Sequence, residues 1–450
     1  MPDSPPPPAE AFHARTLPTG VPNLDLLLGG GLPRGSLLLV VGPPGSGKTT
    51  LANQIVFAAA HADQRAIVFT ALSEPSSKLI DHLASFGFFA PELVGERIQF
   101  LSLEQFLTEG LDKAGDALVA AARAARASVV VLDGFRGVRA ANLDPQAARQ
   151  FLYTVGSTLS VTGTTTIITS EADPHDPAFF PESTTADVIV GLHVQRRGMR
   201  QQRRIEVIKL RGAPVVPGLH GLVIGEQGLV VTPRLESRVG LSEHLPQPDP
   251  FEAEVWAQAR ALAATGATAR AAFGLPLLDA ALEGGLTRGS SSLVMGHLGT
   301  GKTLLGLHFA VAGATAGEPT VFLGFRETYA QLAQKVLPFT LGQHLEHTLA
   351  PAGPLTLVRW PPVELQADVV ANHLLALLDQ LGAQRLVVDS IAELERAATE
   401  SADPARVENF LAALVESLRR RHLTTLFIRE VSQDMELKLD LAEEPVAILA

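Results

Sequence analysis

The chain has no cysteine. Disulfides, thiolate catalysis and cysteine-ligated metals are excluded, and the composition suits a reducing compartment. Long apolar runs are also missing: none approaches the roughly 18 to 20 residues that a membrane-spanning helix needs. The N-terminal stretch Met1 to Glu10 is built around Pro5-Pro6-Pro7-Pro8 and lacks the basic and apolar blocks of a signal peptide. A soluble, cytoplasmic protein without a membrane anchor is expected. Positive charge is in deficit too, with 36 Lys and Arg against 47 Asp and Glu and a net charge of −11. That balance argues against a surface built throughout to hold nucleic acid, although local basic patches remain. What is present is ordinary globular material: 450 residues, 46% hydrophobic and 18% charged, enough for two or three packed domains.

A phosphate-binding loop occurs twice. Gly42-Pro43-Pro44-Gly45-Ser46-Gly47-Lys48-Thr49 recurs as Gly296-His297-Leu298-Gly299-Thr300-Gly301-Lys302-Thr303, with Lys48 and Lys302 set 254 residues apart. Each follows an apolar strand (36–41 and 292–295) and opens a helix, the context in which such a loop cradles phosphate. The repeat is wider than the loop, because Gly20 to Ser36 recurs as Gly274 to Ser290 at the same offset. Downstream, Ala66 to Thr70 leads to Glu74 and Thr320 to Gly324 leads to Glu327, an offset of 253. Val129 to Leu132 ends in Asp133 and Leu386 to Val388 ends in Asp389, an offset of 256. Apolar strands at 36–41, 66–70, 129–132, 164–169 and 187–194, alternating with helical segments, predict an α/β fold with a mostly parallel sheet covered on both faces. The expected organisation is a Pro-rich tail over 1–14, a first domain over 15–236, a linker with a helix over 237–268, and a second domain over 269–450.

The chemistry follows from residue type. Gly42, Gly45 and Gly47 let consecutive backbone N–H groups converge on phosphate oxygens. Lys48 and Lys302 place a point charge against the β and γ phosphates of ATP, and the Thr49 and Thr303 hydroxyls ligate Mg2+. Pro43, Pro44, Ser46 and Thr50 complete the first binding set; His297, Leu298, Gly299, Thr300, Gly301 and Leu304 complete the second beside Gly296. Asp133 and Asp389 stand where a carboxylate holds magnesium through water, the alternative being a helix cap. Glu74 and Glu327 are candidates to orient an attacking water, the alternative being exposed acids at a strand–helix junction.

Three stretches together, Thr19 to Ser36, the first phosphate loop and Ile208-Lys209-Leu210-Arg211-Gly212, resemble the KaiC family of double-module RecA-like ATPases. The resemblance is close over about 15–234 and looser over 270–450. It implies two tandem RecA-like P-loop NTPase domains assembled as a hexameric homo-oligomeric ring, with ATP between subunits and signalling proteins of unknown identity as partners. In such a ring Lys209 and Arg211 of one subunit would reach the nucleotide of the next, where two cations stabilise charge developing on the γ-phosphate. The alternative for this pair is a solvated strand edge.

The chain also departs from the family. The family carries two adjacent glutamates after the second strand, whereas here the first is replaced, by Ser73 and by Arg326. Turnover is therefore expected to be slow, and the second module the poorer catalyst, since arginine cannot act as a base. Clock-type members autophosphorylate a Ser-Thr pair late in the second module, yet Ser432 is the only hydroxyl side chain between Val431 and Ala450. Kinase activity is not expected. The last apolar stretch, Val446 to Leu449, corresponds to about 189–192 of the first copy, so the second domain is expected to be shortened and to lack a second Lys-Leu-Arg-Gly strand. The basic run Gln195 to Arg204 is expected to be a hairpin turning at Gly198, exposed or in contact with a partner, without interleaved aromatics to stack bases. Arg419-Arg420-Arg421-His422 should end a helix, where cations suit the dipole. Two functions compete: a slow ATPase whose nucleotide state controls assembly and partner binding, and a non-catalytic scaffold held together by ATP. A RadA-like DNA-repair ATPase is a third reading, disfavoured by the acidic charge.

Overall fold

The computed structural model describes residues 16–70, 76–107, 110–135, 145–174, 185–197, 199–240, 270–349, 353–399 and 406–431. The expectations for the tail, Ser73, Glu74, Gly198, most of the linker, Ser432 and the final apolar stretch lie outside these residues. The chain divides into two compact units, one running to Ser237 and one starting at Arg238.

In the first unit, β1 (Leu37–Gly42) is buried on both faces, which is why it reads as an unbroken apolar run rather than an alternation. Its period of two still sorts the side chains: Leu38 and Val40 join one core cluster, while Leu37, Leu39 and Val41 join the other on the opposite sheet face. The chain continues through α1 (Lys48–His61), β2 (Ala66–Thr70), α2 (Ser76–Leu83), β3 (Ile98–Ser102), α3 (Leu111–Ala125), β4 (Val129–Leu132), α4 (Pro145–Val161) and β5 (Thr165–Glu171). Four more strands follow: β6 (Val188–Arg197), β7 (Arg200–Leu210), β8 (His220–Gly225) and β9 (Gly228–Thr232). The sheet order is β9-β8-β7-β6-β1-β5-β4-β2-β3. The strands from β6 to β3 are parallel, and β7, β8 and β9 are added antiparallel. Helix α1 packs its aromatic Phe57 against Phe88 and Phe89, at ring distances of 5.7 and 5.2 Å. Burying such a ring stabilises the unit by roughly 1.5–3 kcal/mol.

The β6–β7 hairpin pairs the two arms of the basic run as expected, with Arg197 opposite Arg200. One irregularity interrupts its ladder. Val190 pairs with Val207 and Ile189 with Lys209, so Ile208 is an extra, unpaired residue, a β-bulge.

The second unit contains β10 (Ser291–Gly296), α5 (Lys302–Thr315), β11 (Thr320–Gly324), α6 (Tyr329–Val336), α7 (Thr340–Thr348), β12 (Leu355–Arg359), α8 (Ala367–Leu381), β13 (Arg385–Asp389), α9 (Ile391–Thr399), α10 (Arg406–Arg419) and β14 (Thr424–Glu430). Its described strands form one all-parallel sheet in the order β10-β14-β13-β11-β12. The first unit runs β1-β5-β4-β2-β3 in the same sequence, so the duplication seen in the residues recurs as topology. Beneath α5, Arg385 is buried with its Nε 2.5 Å from Glu318 Oε2, and its Nη1 donates to the carbonyls of Ala272 and Phe309. Arg288 donates to the other oxygen of Glu318.

Candidate nucleotide sites

Both sites form at the carboxyl edge of the parallel strands, where an open α/β sheet presents its loops and helix N-termini. In the first, Gly47 precedes α1 with φ of 105°, in the left-handed region that glycine tolerates. Lys48 is buried and its Nζ donates to the carbonyls of Gly42 and Pro43, each at 3.0 Å. Burial lowers the Lys48 pKa below its ordinary 10.5, opposed by the nearby Glu171 and Asp133 carboxylates. The Thr49 hydroxyl reaches both oxygens of Asp133, at 3.1 and 3.0 Å. Asp133 also accepts from Thr169 at 2.5 Å, and the Thr169 oxygen in turn accepts from the Gly134 N–H. Asp133 therefore faces the phosphate loop. A cavity of about 380 Å³ is bounded by the loop, Asp133, Thr169 and Glu171.

The second site repeats this construction. Gly301 leads α5 with φ of 88°, Lys302 Nζ donates to the His297 carbonyl at 2.5 Å, and Thr303 donates to Asp389 at 2.7 Å. Burial raises the Asp389 pKa above its ordinary 3.8; the Thr303 hydrogen bond opposes this and Glu327 reinforces it. A cavity of about 400 Å³ is bounded by Leu298, Gly299, Lys302, Thr303, Arg326, Glu327, Asp389 and Glu430. Glu327 is paired with Lys335. Arg326 projects into the same cavity, its Nε donating to Glu393 at 2.7 Å and its Nη1 to Glu430 at 3.3 Å.

These residues fit a magnesium-bound nucleotide. Gly45, Gly299 and Gly301 have φ of 73°, 83° and 88°, and a Cβ added at any of them would meet nothing within 4 Å, so the loops are open on the side a phosphate would fill. Each site also offers one hydroxyl against one carboxylate, the donor set that magnesium takes alongside nucleotide oxygens and water.

Lys209 and Arg211 are not gathered into the first site. Strand β6 runs parallel to β1 with Val188 beside Leu38, and Leu210 lies opposite Val188. The cation pair thus sits at the far edge of the sheet, about four residues of ~3.3 Å each from the level of Gly42. Arg211 makes a 3.4 Å ion pair with Asp187, and burial with the neighbouring Arg211 charge lowers the Lys209 pKa against the pull of Asp187. At the other end of the hairpin, Arg203 Nε donates to the Gly45 carbonyl at 3.2 Å, a cation on the phosphate loop that the sequence reading did not single out. The helix-ending cluster behaves as expected: Arg420 pairs with Glu416 and Arg421 with Asp379.

Sequence reasoning also missed Glu171 and Glu430. Each closes the strand beside the phosphate-loop strand, in register with the loop's first glycine: Glu171 with Gly42 and Glu430 with Gly296. The signal was available, since β5 and β14 are both seven-residue strands that start Thr-Thr and end in Glu.

The fold and the paired sites define a tandem RecA-like P-loop ATPase. A family profile described as "ATPase: KaiC" matches residues 17–236 and again 271–443, and the chain belongs to that family. Among curated relatives, "Circadian clock oscillator protein KaiC 1" of Synechocystis sp. is 25% identical over 429 residues, covering 93% of this chain and 77% of the relative. "Circadian clock oscillator protein KaiC" of Thermostichus vulcanus is 25% identical over 438 residues, covering 94% and 78%. The protein of the same description from Picosynechococcus sp. is 26% identical over 430 residues, covering 93% and 77%. Among the described residues, no helix is long and apolar enough to cross a membrane.

Proposed function

We propose that this chain binds ATP with Mg2+ in both modules, hydrolyses it slowly in the first and holds it in the second. Nucleotide state then governs assembly of a homo-oligomeric ring and the binding of partner proteins in the cytoplasm. The observation that carries the division of labour is Arg326. The second cavity holds a guanidinium bridging Glu393 and Glu430, carried by the residue that corresponds in sequence to Ser73 of the first module. In the first module Lys48 neutralises phosphate charge, Thr49 and Asp133 hold the metal, and Glu74 orients the water. Lys209 and Arg211 act on a neighbouring subunit's nucleotide, since their place at the far sheet edge leaves them out of reach of their own. Magnesium held by Thr49 and Asp133 would supply charge neutralisation to the nucleotide's phosphates.

Phosphate release by the full chain tests this reading. Lys48→Ala and Glu74→Gln should each lower turnover by about tenfold or more, on the scale of losing one general base or one phosphate cation. Lys302→Ala should leave most of the turnover in place. A rate unmoved by Glu74→Gln removes the assignment of that carboxylate. A rate near zero in every form, with ATP still bound, favours the scaffold reading, for which Ser73 and Arg326 in place of acids are the supporting observation.

A further inference from the structure

The acids of the second cavity each have a partner, although one buried oxygen of Glu327, Oε2, accepts no hydrogen bond. Glu327 is held by Lys335, Asp389 accepts from Thr303, and Arg326 spans from Glu393 to Glu430. Glu393 is only 2% exposed, and its second oxygen is held by Arg396 at 2.6 Å. Its charge therefore stays compensated without Arg326. Glu430 is 37% exposed and its contact with Arg326 is the longer one, at 3.3 Å, so that end of the bridge is the one solvent and ligands can compete for. A guanidinium carries five N–H donors in a planar fork, and these two contacts engage two of them. Arg326 lines the same cavity as Lys302 and Thr303.

We propose that Arg326 is the specificity-determining cation of the second site, binding the γ-phosphate of a nucleoside triphosphate from within the same chain so that this site prefers ATP to ADP. The inference rests on the reading that the second loop binds nucleotide. A triphosphate carries a γ-phosphate that a diphosphate lacks, so a second cation beside Lys302 distinguishes the two, and a fork anchored at Nε on the buried Glu393 carboxylate is pre-organised to meet it. The γ-phosphate replaces Glu430 as the partner of Nη1. The same contact places a cation where the family carries the first of its two glutamates, so one side chain both selects the triphosphate and preserves it.

The test uses the full chain with Lys48→Ala, which confines tight binding to the second site, and fluorescent mant-ATP and mant-ADP as probes with Mg2+. Adding Arg326→Ser should weaken mant-ATP binding by about tenfold or more, the scale of a charge-assisted hydrogen bond, and mant-ADP binding by less than about threefold. Because Arg396 still holds Glu393, this variant should keep its fold. Should its melting profile nonetheless collapse, Arg326→Lys serves instead, keeping the charge but not the fork and losing part of the preference. Equal weakening of both nucleotides, or none, overturns the proposal. If the Lys48→Ala chain binds neither probe while a Lys302→Ala chain binds both, it is nucleotide binding at the second site that fails, a distinguishable result.

Discussion

At the scale of single residues, Gly42 and Gly296 show how one motif sits in two settings. Gly42 has no positive φ, so its requirement is steric: an added Cβ would stand 2.5 Å from the Leu192 carbonyl oxygen and 2.8 Å from Ser46 Oγ. At Gly296 the nearest atom is the Thr300 hydroxyl, 2.9 Å away, which a rotation can relieve. Gly42→Ala is expected to cost about 1–3 kcal/mol through a clash with backbone. Gly296→Ala should cost clearly less, as read from the urea midpoints of the two variants. Residues of this kind were legible because the phosphate loop is a short local motif: Lys48, Thr49 and Asp133 converge as the sequence implied. Arg203 and Glu393 were not, because each reaches its site through strand register or helix packing. Sequence distance does not encode either.

At the scale of elements, strands buried on both faces were readable as apolar runs, and β1, β2 and β4 lie within a residue of where they were expected. Strand β7 was legible as the second arm of a hairpin rather than from its own apolar pattern. Its Arg- and Gln-rich first half pairs along a hairpin with only Ile205 and Val207 buried. β3 buries only Ile98 and carries little periodic signal. The Glu318–Arg385 pair was equally invisible, although it ties the start of β13 to α5 and to the turn before β11. Burial alone would raise the Glu318 pKa, but hydrogen bonds and charge from Arg288 and Arg385 outweigh it and hold the carboxyl below its ordinary 4.5. A depressed folded-state pKa means stability that is present above 4.5 and lost as pH falls through the lower folded value. Glu318→Gln, which leaves a buried guanidinium without its counter-charge, should destabilise the second module by about 3–5 kcal/mol near neutral pH. Its deficit against the parent should shrink once the pH drops below 4.5, as followed by chemical denaturation across pH. A deficit independent of pH would show that packing, not charge, sets the cost.

At the scale of the whole molecule, the 254-residue offset between Lys48 and Lys302 forecast a duplicated domain, and the shared strand order bears it out. Assembly is the property that two separate units do not themselves reveal. If Lys209 and Arg211 act on a neighbour's nucleotide, light scattering should report a ring with Mg2+ and ATP, and Lys209→Ala with Arg211→Ala should slow turnover while leaving ATP bound. A monomer in the presence of ATP would remove the ring. That reading depends on the direction Lys209 takes, and the bulge at Ile208 sets it. Along β7 the buried positions fall at 205 and 207, so strict alternation would next turn position 209 inward. One supernumerary residue shifts the phase, and the ammonium emerges on the opposite side. The identity of Ile208 matters little, since it is exposed and unpaired; its presence in the count is what matters. A substitution there leaves the bend intact, whereas a single-codon deletion would close the ladder with the lysine directly after Val207, where plain alternation keeps the cation on its present side but straightens the strand that carries it.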